Sequence, residues 1–297
     1  MSVIIWAGLF MLALGALLAF LLAVANKKLY VYEDPRIDQV EDMLPHANCG
    51  ACGTPGCRPF AEALVDGKMD PGKCTVNSVD MNQVIAEYLG VEVVQREKEV
   101  ARLACAGGAH VAHTRAQYTG LKSCRAANLV SGGGKGCVWG CIGLGDCESV
   151  CGFGAIYMDK HGLPVVSEDK CTACRDCVDV CPKDLFSIHP VGHQLWVACK
   201  NKAEGDEAEA DCEVTCTACG RCAADAPEGL IAITGNLAVV DYTKNGLASM
   251  VAIERCPTGA IVWLGKGGKV IKGADAKKIT RKQPLKLNVR VEPLPRG

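Results

Sequence analysis

The sequence predicts an α+β protein in which a membrane-spanning helix precedes several small, cysteine-rich units. Three observations support this prediction. The chain of 297 residues opens with an uninterrupted apolar run from Val3 to Ala25. It contains 20 cysteines, a density typical of disulfide scaffolds or metalloproteins. From Cys124 onward the cysteine pattern repeats with a period of 75 residues, which indicates two related units in tandem.

The apolar run is long enough to cross a bilayer as a helix. A cleaved signal peptide is the alternative, because Ala23-Val24-Ala25 resembles a small-residue cleavage site. No Lys or Arg precedes the run, and it is longer than the apolar region of a signal peptide, so we favour a retained anchor over residues 1–28. Lys27 and Lys28 follow at once, and the positive-inside rule then places the bulk of the chain in the cytoplasm.

Residues 29–93 predict a small domain with one metal centre. Asp34-Pro35 opens a short amphipathic helix, and Met81–Leu89 has the apolar periodicity of a second helix. Between them four cysteines follow the spacing C-x2-C-x4-C-x16-C, and they are Cys49, Cys52, Cys57 and Cys74. Four thiolates suffice for one 4Fe–4S cluster, and a zinc ion is the alternative.

Residues 94–136 are predicted to form a connecting segment with little regular structure. Val91–Val94 is a candidate strand just before it. The glycine-rich stretch Ser131–Gly136 lacks the full phosphate-loop pattern, so we interpret it as a flexible connection.

The most specific motif in the chain runs from Cys171 to Pro182 and reads C-x2-C-x2-C-x3-C-P. This spacing is the bacterial ferredoxin signature, in which three cysteines hold one 4Fe–4S cluster and the fourth holds its neighbour. Zinc favours two separated C-x2-C pairs, and cysteines this close cannot all form disulfides with one another. The motif therefore predicts iron–sulfur chemistry.

The repeat divides the following sequence into ferredoxin-like units at residues 137–190 and 191–263. Each is expected to contain short hairpins and two short helices. In the second unit, Leu230–Ile233 and Leu237–Val240 flank the turn Gly235-Asn236 and predict a hairpin.

Ferredoxins cross their ligands, so the first motif supplies three cysteines and the second motif the fourth. In the second unit this rule leaves one complete set, Cys216, Cys219, Cys222 and Cys256. The other set would need positions 226, 245, 248 and 251, and all four lack cysteine. The second unit is therefore predicted to have lost one whole cluster and kept the other.

In the first unit, crossing groups Cys151 with Cys171, Cys174 and Cys177. The second set contains Cys141, Cys147 and Cys181. Leu144 stands where its middle ligand belongs, and we expect Cys137 to replace it. Four cysteines remain, and they could form a fifth cluster between the units or stay free thiols: Cys105, Cys124, Cys199 and Cys212. The sequence thus predicts four 4Fe–4S clusters and allows a fifth.

Charge is unevenly distributed along the chain. Residues 264–297 carry ten Lys or Arg and two Asp or Glu, whereas the preceding residues have a net charge of −9. We interpret 264–297 as a basic tail. It could lie against anionic lipid or an acidic partner, or remain a solvated extension.

The order of these motifs resembles a known family. A membrane helix is followed by CGACGTPGCRPFAEA, CAGG, GCVWGCIGLGDC and then tandem ferredoxin units. This resembles the B subunit of the Rnf complex, an ion-translocating ferredoxin:NAD oxidoreductase, over about residues 1–263. The resemblance implies a cytoplasmic exchange of electrons with soluble ferredoxin and their transfer to the other membrane subunits of an Rnf-type complex. The expected partners are these subunits, ferredoxin and the lipid bilayer, with no nucleic acid.

Two features depart from the family pattern. Gly152 stands where the family has Pro after the cysteine, and the second unit lacks the ligands of one cluster. These departures concern the number of clusters. No residue is predicted to act as an acid, base or nucleophile, and no dinucleotide-binding fingerprint is present.

Three alternative functions fit parts of the pattern. The same relay could keep a redox-sensing regulator reduced. The clusters could be folding staples of a membrane scaffold, since metal binding contributes folding energy to small domains. Finally, components of corrinoid-protein or carbon-monoxide enzymes resemble the N-terminal four-cysteine domain, but the anchor and the tandem units argue against that class.

Overall fold

The computed structural model describes residues 2–29, 33–94 and 97–285. The apolar run forms helix α1, Ser2–Leu29, as predicted. Within the described chain, α1 is the helix long and apolar enough to cross a membrane, with a mean hydropathy of 2.6 over an 18-residue stretch of Ile4–Leu29. None of that stretch is buried against the rest of the protein. A helix that is apolar all round and packs against nothing in its own chain requires an apolar environment outside it.

The N-terminal domain packs three helices, α2 (Pro35–Asp42), α3 (Cys57–Val65) and α4 (Val79–Leu89). The Asp34 carboxylate accepts a hydrogen bond from the Arg36 amide at the start of α2, and the Ser78 hydroxyl caps α4 in the same way. Gly90 ends α4 in the left-handed region at φ +70°. The small core contains Val40, Leu44, Phe60, Ala61, Leu64 and Ile85. The helix predicted over Met81–Leu89 is confirmed.

The first ferredoxin-like unit contains two antiparallel strand pairs and two short helices. Strand β1 (Glu99–Leu103) pairs with β4 (Phe186–Pro190), and β2 (Ile156–Met158) pairs with β3 (Pro164–Val166). Between the strands lie α5 (Cys124–Leu129), α6 (Asp146–Ser149) and α7 (Asp176–Val180). Helices α6 and α7 carry the cysteine motifs, while α5 is an additional helix between β1 and α6.

The second unit repeats this plan. Strand β5 (Leu195–Val197) pairs with β8 (Ile261–Leu264), which also pairs with β9 (Val270–Ile271). The predicted hairpin is confirmed as β6 (Ile231–Thr234) and β7 (Leu237–Val240). Three helices complete the unit: α8 (Gly205–Asp211), α9 (Arg221–Asp225) and α10 (Val251–Glu254).

Two predictions for the connecting segment were wrong. Residues 91–94 form no strand; the strand is β1, and its pairing with β4 makes it part of the first ferredoxin-like unit. Residues 131–136 are also not a flexible connection. Ser131–Gly134 forms a 3₁₀ turn, and the Gly134 carbonyl accepts hydrogen bonds from the amides of Arg115 and Ala116. Long-range hydrogen bonding, which local sequence does not report, orders both regions.

The predicted basic tail contacts the rest of the protein along its described part, which ends at Leu285. Beyond β9 it crosses the second unit and reaches the junction of the two units. The Lys277 amide donates to the Pro257 carbonyl, and the Leu285 amide donates to the Ala109 carbonyl. Arg281 contacts the His110 carbonyl and Glu213, and Ile279 packs on the apolar cluster around Val111. We call residues 273–285 the strap; residues 286–297 of the predicted tail lie outside the described residues.

Candidate metal centres

All 20 cysteines of the chain are free thiols, so the protein is not a disulfide scaffold. Among the described residues, no three His, Cys, Asp or Glu side chains converge closely enough to hold a single metal ion. A tetrahedral zinc site would need its sulfurs about 2.3 Å from one ion. The thiols are instead spread around cavities, which fits a group larger than one ion.

Four cavities in the described part of the two units are each lined by four cysteines. The four cavities are similar in size. Sixteen cysteines are used in this way, each once, which leaves the four of the N-terminal domain. Equal size and an equal number of thiols indicate the same kind of occupant in all four cavities.

The outer cavity of the first unit is lined by Cys151, Cys171, Cys174 and Cys177. The loop before α7 curls around it, with Ala173 and Arg175 in the left-handed region at φ +56° and +77°. This curl lets three closely spaced cysteines face one point. Two backbone amides donate to the sulfurs at 3.3–3.4 Å, that of Ala101 to Cys171 and that of Ala155 to Cys151. The grouping is the one predicted by ligand crossing.

The inner cavity of the first unit corrects one prediction. It is lined by Cys124, Cys141, Cys147 and Cys181, so Cys124 and not Cys137 takes the place left open at Leu144. Cys124 begins the additional helix α5. The Asp146 carboxylate at the start of α6 accepts hydrogen bonds from the Ser123 hydroxyl at 2.9 Å and the Arg125 amide at 3.2 Å. These two bonds fix Cys124 beside α6.

The interunit cavity is lined by Cys105, Cys137, Cys199 and Cys212. Cys105 follows β1 by two residues, and Cys199 follows β5 by two residues. Cys137 and Cys212 each precede the first motif cysteine of their unit by four residues. Each unit therefore contributes two equivalent cysteines to a site that neither unit can complete alone. The sequence pointed to a fifth group here but exchanged Cys124 and Cys137.

The cavity of the second unit is lined by Cys216, Cys219, Cys222 and Cys256, the set predicted by crossing. Cys256 is buried, although it lies far along the chain from the other three. Cys219 is solvent-exposed. None of the twelve cysteines that line the other three cavities is exposed to this extent.

In the second unit, two leucines occupy the positions that correspond to two small residues at the outer cavity of the first unit. In the first unit, Ala101 and Ala155 line the outer cavity. Ala101 on β1 pairs with Ile188 on β4, and Leu195 on β5 pairs with Trp263 on β8. Trp263 follows Ile188 by the 75-residue repeat, so Leu195 is the counterpart of Ala101. Leu230 lies 75 residues after Ala155. Both leucines are fully buried in a core that also includes Ala226 and Ala248. The sequence showed the missing cysteines but not these two leucines.

The N-terminal domain gathers its own four cysteines around one end of its core. Cys52, Cys57 and Cys74 pack against that core, and Cys49 lies on the loop before α3. The Asn48 side chain accepts a hydrogen bond from the Cys57 amide at 2.8 Å and so fixes this loop to the start of α3. Burial raises the pKa of Cys74, and neighbouring Cys52 and Cys49 raise it further. Cys49, Cys52 and Cys74 are thus close enough to influence one another electrostatically.

Burial also controls the protonation of the thiols in the two units. It raises the pKa of several to about 11 or 12: Cys137, Cys141, Cys147, Cys177, Cys212 and Cys222. A thiol ligates metal as the thiolate, so these sulfurs need nearby positive charge before they ionise at neutral pH. Iron ions in a cluster supply that charge. The donor set and the N–H···S bonds both fit 4Fe–4S clusters.

Two family models match parts of this chain. Residues 44–76 match a family described as a putative Fe-S cluster domain, and residues 139–185 match a 4Fe-4S dicluster domain. The first region contains the N-terminal cysteines, and the second contains most of the first ferredoxin-like unit.

Three curated relatives, each the B subunit of a membrane complex, match most of the chain. It is 38% identical over 247 residues to that of the Na(+)-translocating ferredoxin:NAD(+) oxidoreductase complex of Acetobacterium woodii, covering 83% of this chain and 74% of that protein. It is 36% identical to that of the ion-translocating oxidoreductase complex of Methanosarcina acetivorans, covering 84% and 94%. It is 35% identical to that of the proton-translocating ferredoxin:NAD(+) oxidoreductase complex of Clostridium ljungdahlii, covering 88% and 93%.

Proposed function

This chain belongs to the family of B subunits of ion-translocating ferredoxin:NAD(+) oxidoreductase complexes, and we propose that its 20 cysteines hold five 4Fe–4S clusters that together form one electron relay. It is an iron–sulfur electron-transfer subunit. The observation that carries this proposal is the division of 16 cysteines into four similar cavities without remainder. The N-terminal set supplies the fifth site.

The ligand assignment follows the cavities and the N-terminal set. Each cysteine acts as a thiolate ligand to iron, and the clusters, when bound, accept and release single electrons. The protein buries eight of the 20 cysteines, directs amides at several of the sulfurs and fixes their spacing. These are the means by which a protein sets cluster potential.

Direct contacts between the proposed sites support an arrangement of the five in a row. The Thr75 hydroxyl, next to Cys74, donates to the Thr172 carbonyl beside the outer cavity. Cys177 of the outer cavity and Cys147 of the inner cavity share one buried core. The order of sites is then the N-terminal domain, the outer cavity and the inner cavity.

The row continues through two N–H···S bonds. The Cys141 amide of the inner cavity donates to the Cys105 sulfur of the interunit cavity at 3.4 Å. The Cys216 amide of the second unit donates to the Cys199 sulfur of the interunit cavity at 3.3 Å. The relay would therefore run from the domain next to the membrane anchor to the exposed Cys219. Its two ends suit exchange with membrane subunits and with a soluble carrier.

The anchor and partners complete the proposal. Helix α1 anchors the protein in the cell membrane, and Lys27 and Lys28 after the apolar run support a cytoplasmic location for the rest. Soluble ferredoxin would exchange electrons with the exposed end of the relay. The other subunits of the membrane complex would exchange them at the N-terminal domain. We also propose the unit boundaries given by the repeat, with β1 added to the first unit.

Iron and acid-labile sulfide analysis tests the proposal on the full chain, purified anaerobically in detergent. Five clusters correspond to 20 iron atoms, four for each set of four cysteines. A content near 16 would leave one of the sets empty. A content of 12 or below, or stoichiometric zinc, would contradict the relay. Reversible reduction at low potential would distinguish it from a scaffold that uses clusters only as folding staples.

A further inference from the structure

The interunit cavity differs from the other three cavities in the charge of its wall. Lys135 and Lys200 line it, and no carboxylate does. The outer cavity has Arg175 beside Asp176, and the inner cavity has Lys183 beside Asp146. The cavity of the second unit has no charged residue in its wall. Of the four cavities, the interunit one thus has a net positive wall.

Lys135 is held firmly at this position. Its ammonium group donates to the Gly107 carbonyl at 2.5 Å and to the Cys141 carbonyl at 2.6 Å. Gly107 lies against the interunit sulfurs, since a Cβ there would be 3.2 Å from Cys212 Sγ. The Cys141 residue belongs to the inner cavity. The ammonium group therefore lies at the wall between these two sites.

No acidic partner neutralises Lys135. Within the described part of the chain, neither Lys135 nor Lys200 forms a salt bridge, and both are partly buried. A partly buried charge is costly unless an opposite charge compensates it. A cluster ligated by four thiolates carries net negative charge, and it becomes more negative on reduction. An uncompensated lysine at the cavity wall is complementary to that charge.

The repeat provides an internal comparison. Cys137 corresponds to Cys212, so Lys135 corresponds to Ala210 in the second unit. The charge of Lys135 is therefore present in the first unit and absent from the equivalent position of the second unit. It is not part of the repeated framework that builds the fold, which favours a role specific to this site.

Resting on the proposed function, we infer that Lys135, supported by Lys200, raises the reduction potential of the interunit site above those of the other sites of the two ferredoxin-like units. A nearby cation favours the reduced, more negative state, and its effect increases as the dielectric falls. Three amides reinforce it by donating to the cavity sulfurs at 3.3–3.4 Å, from Cys141, Asn201 and Cys216. The middle of the relay would then hold an electron more readily than its neighbours in the row. Lys135 is a positioning residue for charge and is not itself a ligand.

A redox titration followed by electron paramagnetic resonance tests this inference on the reconstituted full chain. The signal lost in Cys137→Ala identifies the interunit site. In the wild type, that component should be reduced at the highest potential of the sites in the two units. Lys135→Met should shift its ratio of reduced to oxidised form at least tenfold toward the oxidised form, which is about 59 mV for one electron. Lys135→Arg should keep the wild-type potential, because the charge remains.

Matched variants separate charge from structure. Lys244 is an exposed lysine that also donates to a backbone carbonyl, that of Glu228, and Lys244→Met should move no component. Lys200→Met should shift the interunit component in the same direction as Lys135→Met, and it provides the test if the latter loses iron. An unmoved interunit component in iron-replete variants would overturn the inference while leaving the relay intact. A wild-type chain with 16 iron atoms and no signal sensitive to Cys137→Ala would instead overturn the five-cluster proposal.

Discussion

Leu195 and Leu230 fill, in the second unit, the space that corresponds to a cysteine-lined cavity in the first unit. Their counterparts in the first unit, Ala101 and Ala155, are small and border the outer cavity. Fully buried leucines in their place restore close packing where a cluster would otherwise be needed. The core of the second unit is therefore apolar on the side where the first unit has thiols.

This replacement predicts the cost of reopening the space. Leu195→Ala should destabilise the second unit by about 2–5 kcal/mol, because a buried Leu→Ala change loses transfer energy and leaves a cavity. It should add no iron, because positions 226, 245, 248 and 251 still lack thiols. Denaturant unfolding of the anaerobic protein measures the change. Leu247→Ala, at a site that is 54% exposed, is the control and should cost little.

The exchange of Cys124 and Cys137 gives a second prediction at this scale. Cys124→Ala should remove up to four iron atoms from the inner cavity and leave the interunit signal in place. Cys137→Ala should do the reverse. Iron content and electron paramagnetic resonance of the two variants decide the assignment. If Cys137→Ala abolished the inner-cavity signal instead, the grouping expected from the sequence would be right and that of the cavities wrong.

At the scale of elements, strand pairing builds the interunit site. Strands β1 and β5 each end two residues before a cysteine of that site, and their partners β4 and β8 are formed after the second motif of each unit. The first strand of each unit is thus fixed by residues far along the chain. Ligands placed in this way depend on the tertiary fold more than on their own loops.

The strap is the second such element, and its removal gives a third prediction. Ending the chain after Lys272 removes two contacts of the strap. Ile279 no longer packs on the apolar cluster that contains Cys212, and Arg281 no longer pairs with Glu213. We expect faster loss of iron from the interunit site to a chelator, since its outer wall becomes exposed. Ending the chain after Leu285 is the control and should leave the rate unchanged. Equal rates in the two truncated proteins would show that the strap does not protect this site.

For the whole molecule, helix α1 is separate from every metal site. All 20 cysteines follow it, and its apolar surface packs against nothing else in the described chain. Deleting Val3 to Ala25 should therefore release a soluble protein with an unchanged iron content. Fractionation and iron analysis measure this outcome. The mature full-length protein should keep Met1 or Ser2, and an N-terminus at Asn26 would instead show that the run is a cleaved signal.

The sequence by itself determined the parts of this protein whose chemistry is local. The membrane helix follows from an unbroken apolar run, and the motif at Cys171–Cys181 follows from a spacing that one loop can wrap around one cluster. The crossing rule also predicts that the second unit lacks one cluster, because it assigns the ligands to fixed positions where cysteine is absent. Relatives at 35–38% identity confirm the family that these motifs indicated.

Only the tertiary structure decided which distant thiols meet. Cys137 lies close to Cys141 in the sequence and was therefore expected to complete the inner set, whereas Cys124 has no close motif around it. Helix α5, fixed to Asp146, brings Cys124 to the inner cavity, and the pairing of β1 and β5 with later strands brings Cys105 and Cys199 to Cys137 and Cys212. Lys135 was missed for the same reason, since its glycine-rich surroundings indicated a loop. Spacing of a few residues constrains local geometry, whereas distant ligands are placed by long-range hydrogen bonds and packing that local sequence does not specify.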